Sequence, residues 1–196
     1  MSSEPITAKE SLKKLLEGNK RFAGDNAIQP NQTSKRRTSL QETQNPFAVI
    51  MTCADSRVSP EIIFDQGLGD LFVTRVAGNV ASDFALGTIE YAAIQLNVPL
   101  VLVVGHSACA AVQGAMNISG ISGQFISVAK AIKPAIDRLD IHLRNDMETV
   151  IKENAKMVAE QISSSGPLIA DLVSSGKLTV LSAFYNFSTG LVEVIS

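Results

Sequence analysis

The chain has no tryptophan, only two cysteines and two histidines, and 5 % aromatic residues among its 196 positions. Two cysteines do not make the disulfide framework that staples small secreted domains. A chain of this length does not need one, because it can bury a full hydrophobic core as a single domain, 1–196. No stretch approaches the run of about 18 apolar residues that spans a bilayer, so no membrane partner is expected. The formal net charge of −2 carries no basic excess, which argues against a nucleic-acid partner. The one basic cluster, Lys35-Arg36-Arg37, sits in a polar stretch and reads as solvated surface. The N-terminal segment is polar and helical in period and lacks the apolar core of a secretory signal, so a cytoplasmic location is expected.

What is present is a regular alternation of strand and helix signals. Thr7-x-x-Glu10 is a capping-box pattern, and Leu12, Leu15, Leu16 and Phe22 follow it at helical spacing. Residues 24–46 are rich in Asn, Gln, Ser, Thr and Pro and read as a long loop or an arm. Short apolar runs at 47–51, 71–76 and 100–104 suit buried parallel strands, with Gly105 expected to break the third. Ser59-Pro60 opens a short helix, residues 83–96 form a longer one, and 108–116 can be helical. A helical region over 124–164 is expected to be interrupted near Pro134. A fourth strand is predicted over 177–183 and a terminal one over 191–195. The pattern predicts an α/β fold, a central mostly parallel sheet flanked by helices, with an N-terminal helical arm.

The cysteines fall in two motifs, Cys53-Ala54-Asp55-Ser56-Arg57 and His106-Ser107-Ala108-Cys109. Cys53 follows the first predicted strand and His106 follows the third. Both therefore stand beyond the carboxyl ends of strands, where open α/β sheets hold ligands. Cys109 lies three residues past His106, so the two can face one point if a helix begins there. Two thiolates and an imidazole form a good ligand set for Zn2+, whose fourth position is left to water or a carboxylate. Arg57 can grip Asp55 through two parallel hydrogen bonds and keep it off the metal. Asp55 is then free to orient a zinc-bound hydroxide, or to become the fourth ligand in a closed state if the pair opens. A buried thiol, a turn histidine and a Cys53–Cys109 redox pair are the competing readings of the same residues. His142 has polar neighbours and reads as a surface residue.

With these motifs on the page, the sequence resembles the β-class carbonic anhydrases, of bacterial type. The resemblance extends to Gly69-Asp70-Leu71-Phe72-Val73, Arg75, Ala77-Gly78-Asn79, Tyr185 and Thr189-Gly190, and to Gly18-Asn19-x-Arg21-Phe22 near the N-terminus. It implies zinc on Cys53, His106 and Cys109, with Asp55 and Arg57 as a catalytic dyad. It also implies reversible hydration of carbon dioxide to bicarbonate and a proton. The minimal unit it implies is a homodimer, often paired into a tetramer, with residues 1–46 packing on the partner subunit. The active cleft then lies at the dimer interface, and Phe64, Val80, Phe84 and Tyr91 are candidates for its apolar wall.

Two departures bear on function. Many family members carry glycine where this chain has Ala110, a change that crowds a tight turn but is harmless in a helix. Gly67 stands where the plant-like branch has a substrate-binding glutamine, and Gln66 is one residue earlier. In the bacterial branch a Trp, an Arg and a Tyr form a non-catalytic bicarbonate pocket. Arg75 and Tyr185 match the last two, and the tryptophan is missing. Alternatives on the same scaffold are hydrolysis of carbon disulfide or carbonyl sulfide, and a non-catalytic zinc- or bicarbonate-binding protein.

Overall fold

The computed structural model describes residues 5–196, so the first four positions of the predicted 1–46 arm lie outside the described residues. Helix α1 (Ala8–Ala23) starts at the expected capping box: Thr7 accepts from the Glu10 amide, and Glu10 accepts from the Thr7 amide. A short α2 (Ser34–Ser39) lies inside the polar stretch that follows. Strand β1 (Ala48–Thr52) comes next, then α3 (Pro60–Ile63) and β2 (Leu71–Arg75). Helix α4 (Asp83–Gln95) leads to β3 (Leu100–His106) and α5 (Ala110–Met116). Helices α6 (Phe125–Arg138), α7 (Met147–Ser163) and α8 (Gly166–Ser174) precede β4 (Thr179–Tyr185) and β5 (Val192–Val194).

The five strands form one sheet in the order β2-β1-β3-β4-β5, parallel except for the β4–β5 pair. Every residue of β1 and β3 is buried, as expected for strands covered on both faces. Their side chains sort by alternation. Val49, Met51, Val101 and Val103 pack with α4, α7 and α8, while Ala48, Ile50, Leu100, Leu102 and Val104 pack with Leu15 of α1 and Phe64. A third cluster joins α5, α6 and α7 around Cys53 and Cys109.

Two expectations are corrected. Gly105 does not end the third strand: it pairs with Phe184, and His106 pairs with Tyr185. The glycine serves packing instead, since a Cβ there would lie 3.0 Å from Ile151 Cγ2 on α7. Pro134 does not interrupt the helical region; it sits inside α6, and the break comes at residues 139–146. Pro134 and Lys130, whose carbonyl loses a bond, are both on the exposed face, where water can replace it. Buried Ala129, Ile132, Ala135 and Ile136 hold the opposite face in place.

Candidate active site

Strand order fixes the site. Successive crossovers put β2 on one side of β1 and β3 on the other, so the chain parts at the carboxyl ends of β1 and β3. Cys53 is the first residue beyond β1, and His106 is the last residue of β3. Cys109 caps α5 without using its side chain for the cap. All three residues are buried, and one sulfur or ring nitrogen from each lies within 4.8 Å of the others.

His106 Nδ1 stands 2.9 Å from the Ser107 carbonyl oxygen. A carbonyl only accepts, so Nδ1 carries the proton and Nε2 presents a lone pair. Nε2 is buried and has no hydrogen-bond partner among the described residues. Both cysteines are free thiols. The Cys109 thiol beside it, against the opposing effect of burial, holds Cys53 well below the ordinary thiol range, and the Gly78 amide adds to the effect. The same pairing, together with burial, pushes Cys109 up. The Gly78 N–H donates to Cys53 Sγ at 3.2 Å. Gly78 has φ of 66°, and a Cβ on it would meet Ile132 Cδ1 at 2.6 Å, so any larger residue there would be strained and would have to push Ile132 aside to deliver that amide.

Beside the three ligands, Asp55 is gripped by Arg57. Nε donates to Oδ1 at 2.9 Å and Nη2 to Oδ2 at 2.7 Å, while the Arg57 backbone N–H donates to Oδ1 at 2.9 Å. Arg57 hydrogen bonds, more than its charge, hold the Asp55 carboxyl well below the usual carboxylate range. Arg75 secures the loop itself, donating to the Cys53 carbonyl at 3.1 Å and the Asp55 carbonyl at 2.6 Å.

A carbonic anhydrase family model matches residues 48–192 of this chain. Carbonic anhydrase of Mycolicibacterium smegmatis is 36 % identical over all of this chain and 95 % of its own length. The chain belongs to the β-carbonic anhydrase family. Carbonic anhydrase 2 of Mycobacterium tuberculosis is likewise 36 % identical, over 96 % of this chain and 92 % of that protein. The solved β-carbonic anhydrase of Coccomyxa, in complex with acetazolamide, matches the fold with a TM-score of 0.74 at 26 % identity, covering 94 % of this chain and 86 % of that one.

A β-carbonic anhydrase needs zinc, and the donor set fits it: two sulfurs, one of them readily a thiolate, and an unpartnered buried imidazole nitrogen converge on one point. The chain is a zinc-dependent lyase that hydrates carbon dioxide reversibly to bicarbonate and a proton.

The other residues singled out by sequence are dispersed. Val80 shares the buried cluster of Cys53 and Cys109. Phe64 lies in the core beneath α1, away from that cluster. Phe84 and Tyr91 project from α4, Phe84 being 89 % exposed and Tyr91 49 %. Arg75 and Tyr185 end β2 and β4, which are three positions apart in the sheet. The Tyr185 ring packs edge-on against Phe187. Gln66 is buried, and its amide nitrogen donates to the Phe64 carbonyl. His142 is exposed. Ala110 is the first residue of α5 and is exposed, so its methyl group crowds nothing. The strained position is Ala108, at φ of 54°.

Sequence reasoning missed Ser107, Phe187 and Asn154. Asn154, fully buried on α7, donates to the Gly78 carbonyl at 2.9 Å. A polar residue on the apolar stripe of a predicted helix is the signal that points to it, and nothing local marks the other two.

Proposed function

We propose that Asp55 and Arg57 act as the catalytic dyad of this enzyme, and that the working unit is a homodimer, alone or paired into a tetramer, in the cytoplasm. The observation that carries the dyad is the fork of Arg57 on Asp55 next to three convergent metal ligands. Cys53, His106 and Cys109 would hold the metal. Bound zinc supplies Lewis acidity that lowers the pKa of a water from 15.7 to about 7.

The chain's own residues do the rest. Asp55, ionised and fixed by Arg57, has only acceptor capacity, so it takes a hydrogen bond from the O–H of the attacking oxygen. That contact turns a lone pair of the same oxygen toward carbon dioxide. Val80 offers apolar surface beside the ligands, suited to a small apolar substrate. Asp55 serves as a fourth ligand only in a closed state, which requires Arg57 to release it.

The dimer reading is supported by β2, an open sheet edge with half-buried Leu71, Phe72 and Val73, and by Phe84 and Tyr91 two helical turns apart on the neighbouring α4. In this reading, Phe84 and Tyr91 reach the apolar wall of the cleft across the subunit boundary, and the solvent face of α1 and the 24–46 segment supply the arm. Two unpaired thiols suit a reducing compartment.

The test is stopped-flow hydration of carbon dioxide from pH 6.5 to 9 on metal-quantified protein. About one zinc per chain, with activity rising with pH, is expected. Zinc-loaded protein that is inactive at every pH overturns the reading and directs the assay to carbonyl sulfide and carbon disulfide.

A further inference from the structure

Phe187 touches both halves of the active site and is claimed by neither. Its ring lies 5.2 Å from the His106 ring, with the planes 29° apart. The Arg57 guanidinium carbon lies 4.4 Å from the same ring's centroid. Tyr185 meets Phe187 edge-on at 5.4 Å and 76°, which limits how the ring can turn. The backbone is fastened as well. The Phe187 N–H donates to Ser107 Oγ at 2.9 Å, and the Ser107 N–H donates to the Tyr185 carbonyl at 3.0 Å. The Ser107 carbonyl is the group that fixes His106 Nδ1.

We propose that Phe187 is a positioning residue that ties the orientation of the ligand His106 to that of the dyad residue Arg57. The inference rests on the dyad reading given above. Its physical basis is the exposure of Arg57, whose side chain is 53 % accessible while that of Asp55 is 15 % accessible. A long, exposed arginine samples many rotamers, and beyond Asp55 the only protein group the guanidinium bonds among the described residues is the Ala108 carbonyl, at 3.4 Å. An aromatic face under the guanidinium restricts that sampling by cation–π attraction. Because the same ring also stacks on His106, the carboxylate that aims the attacking oxygen and the imidazole that holds the metal keep one relative geometry. An aliphatic side chain would fill the space without supplying the π-face.

The test compares zinc-loaded wild type with Phe187→Leu and Phe187→Tyr. Three quantities are measured: kcat for hydration, the Arg57 Nε–H proton resonance, which an adjacent ring displaces, and the visible bands of the cobalt-substituted protein, which report the His106 and thiolate field. Phe187→Leu is expected to bind one metal per chain, to move both the Arg57 resonance and the cobalt bands, and to lose about 2- to 5-fold in kcat, the rate equivalent of an exposed cation–π contact. Phe187→Tyr, which keeps the ring, is expected to restore all three. A leucine variant whose Arg57 resonance or cobalt bands stay at the wild-type position overturns the proposal whatever its rate, because the two sites are then not tied. If the leucine variant does not fold, Phe187→Met is judged by the same criteria. Wild-type protein that binds metal without hydrating carbon dioxide sinks the dyad reading, while the resonance and the cobalt bands still decide whether Phe187 couples the two groups.

Discussion

Asp55 accepts three hydrogen bonds from Arg57 alone, which makes it a fixed acceptor instead of a mobile carboxylate. Its carboxyl is held so far below the usual range that it stays ionised throughout any working pH. Asp55→Asn keeps the shape but turns half of the acceptor into a donor. It should retain zinc while kcat falls on the order of 100-fold, measured by stopped flow beside a metal determination. Asp65 is a structural counterpart with a pH signature. Burial pushes its carboxyl up, but the Arg21 guanidinium at 2.6 Å and the amides of Ile28 and Gln29 outweigh burial and hold it down. Because the folded pKa lies below the unfolded value of about 3.9, the stabilisation is complete above that value and is lost as pH falls through the folded one. Asp65→Asn should cost about 2 kcal/mol at pH 7, and urea midpoints of variant and wild type should draw together when the titration is repeated at pH 3.

At the scale of elements, the docking of α1 onto the core depends on a missing side chain. A Cβ on Gly18 would lie 1.8 Å from the Phe64 carbonyl oxygen, a contact only glycine avoids. Asn19, one residue on, donates to the Ile63 and Gly190 carbonyls and accepts from the Val192 amide, so α1 bridges α3 and the β5 edge. Gly18→Ala sets two magnitudes against each other: alanine gains about 1 kcal/mol of helix propensity, and overpacking costs about 1–3 kcal/mol or more. With backbone as the obstacle, overpacking wins, and a thermal scan should show a lower Tm. A higher Tm would mean that α1 does not sit on α3 in this way.

For the whole molecule, the exposed apolar surface gathers along one side. The sheet is closed at the β5 end by a three-residue antiparallel strand, whereas β2 stands as a five-residue edge beside exposed aromatic surface on α4. An aromatic side chain as exposed as Phe84 costs little to leave in water singly, but next to Tyr91 and an edge unpaired among the described residues it is where the proposed dimer would bury its surface. Phe84→Glu places a charge in that interface without touching a ligand. Sedimentation at micromolar concentration should show the variant shifted from dimer toward monomer, with hydration activity falling alongside because the cleft loses its second wall. A variant that sediments as the wild type does would place the interface elsewhere.

The sequence alone determined the alternation of buried strands and amphipathic helices, the capping box at Thr7, and the two motifs that supply Cys53, His106 and Cys109. These are local signals, set by side-chain period and by residue chemistry at fixed spacing. Local pattern misjudged Gly105 and Pro134, because a glycine that serves a neighbouring helix and a proline on a solvent face look the same in one dimension as a strand end and a helix break. Ser107 and Phe187 were illegible for the same reason, and Asn154 showed only as a polar residue on an apolar stripe: they act through contacts 76 to 80 residues away in the chain, Asn154 with Gly78 and Phe187 with Ser107. The Arg57 grip on Asp55, two residues away, was legible too. Only the tertiary structure decided that three ligands from separate segments share a point and which amide faces Cys53. Those are outcomes of strand order and packing, which bring together groups that no sequence period relates.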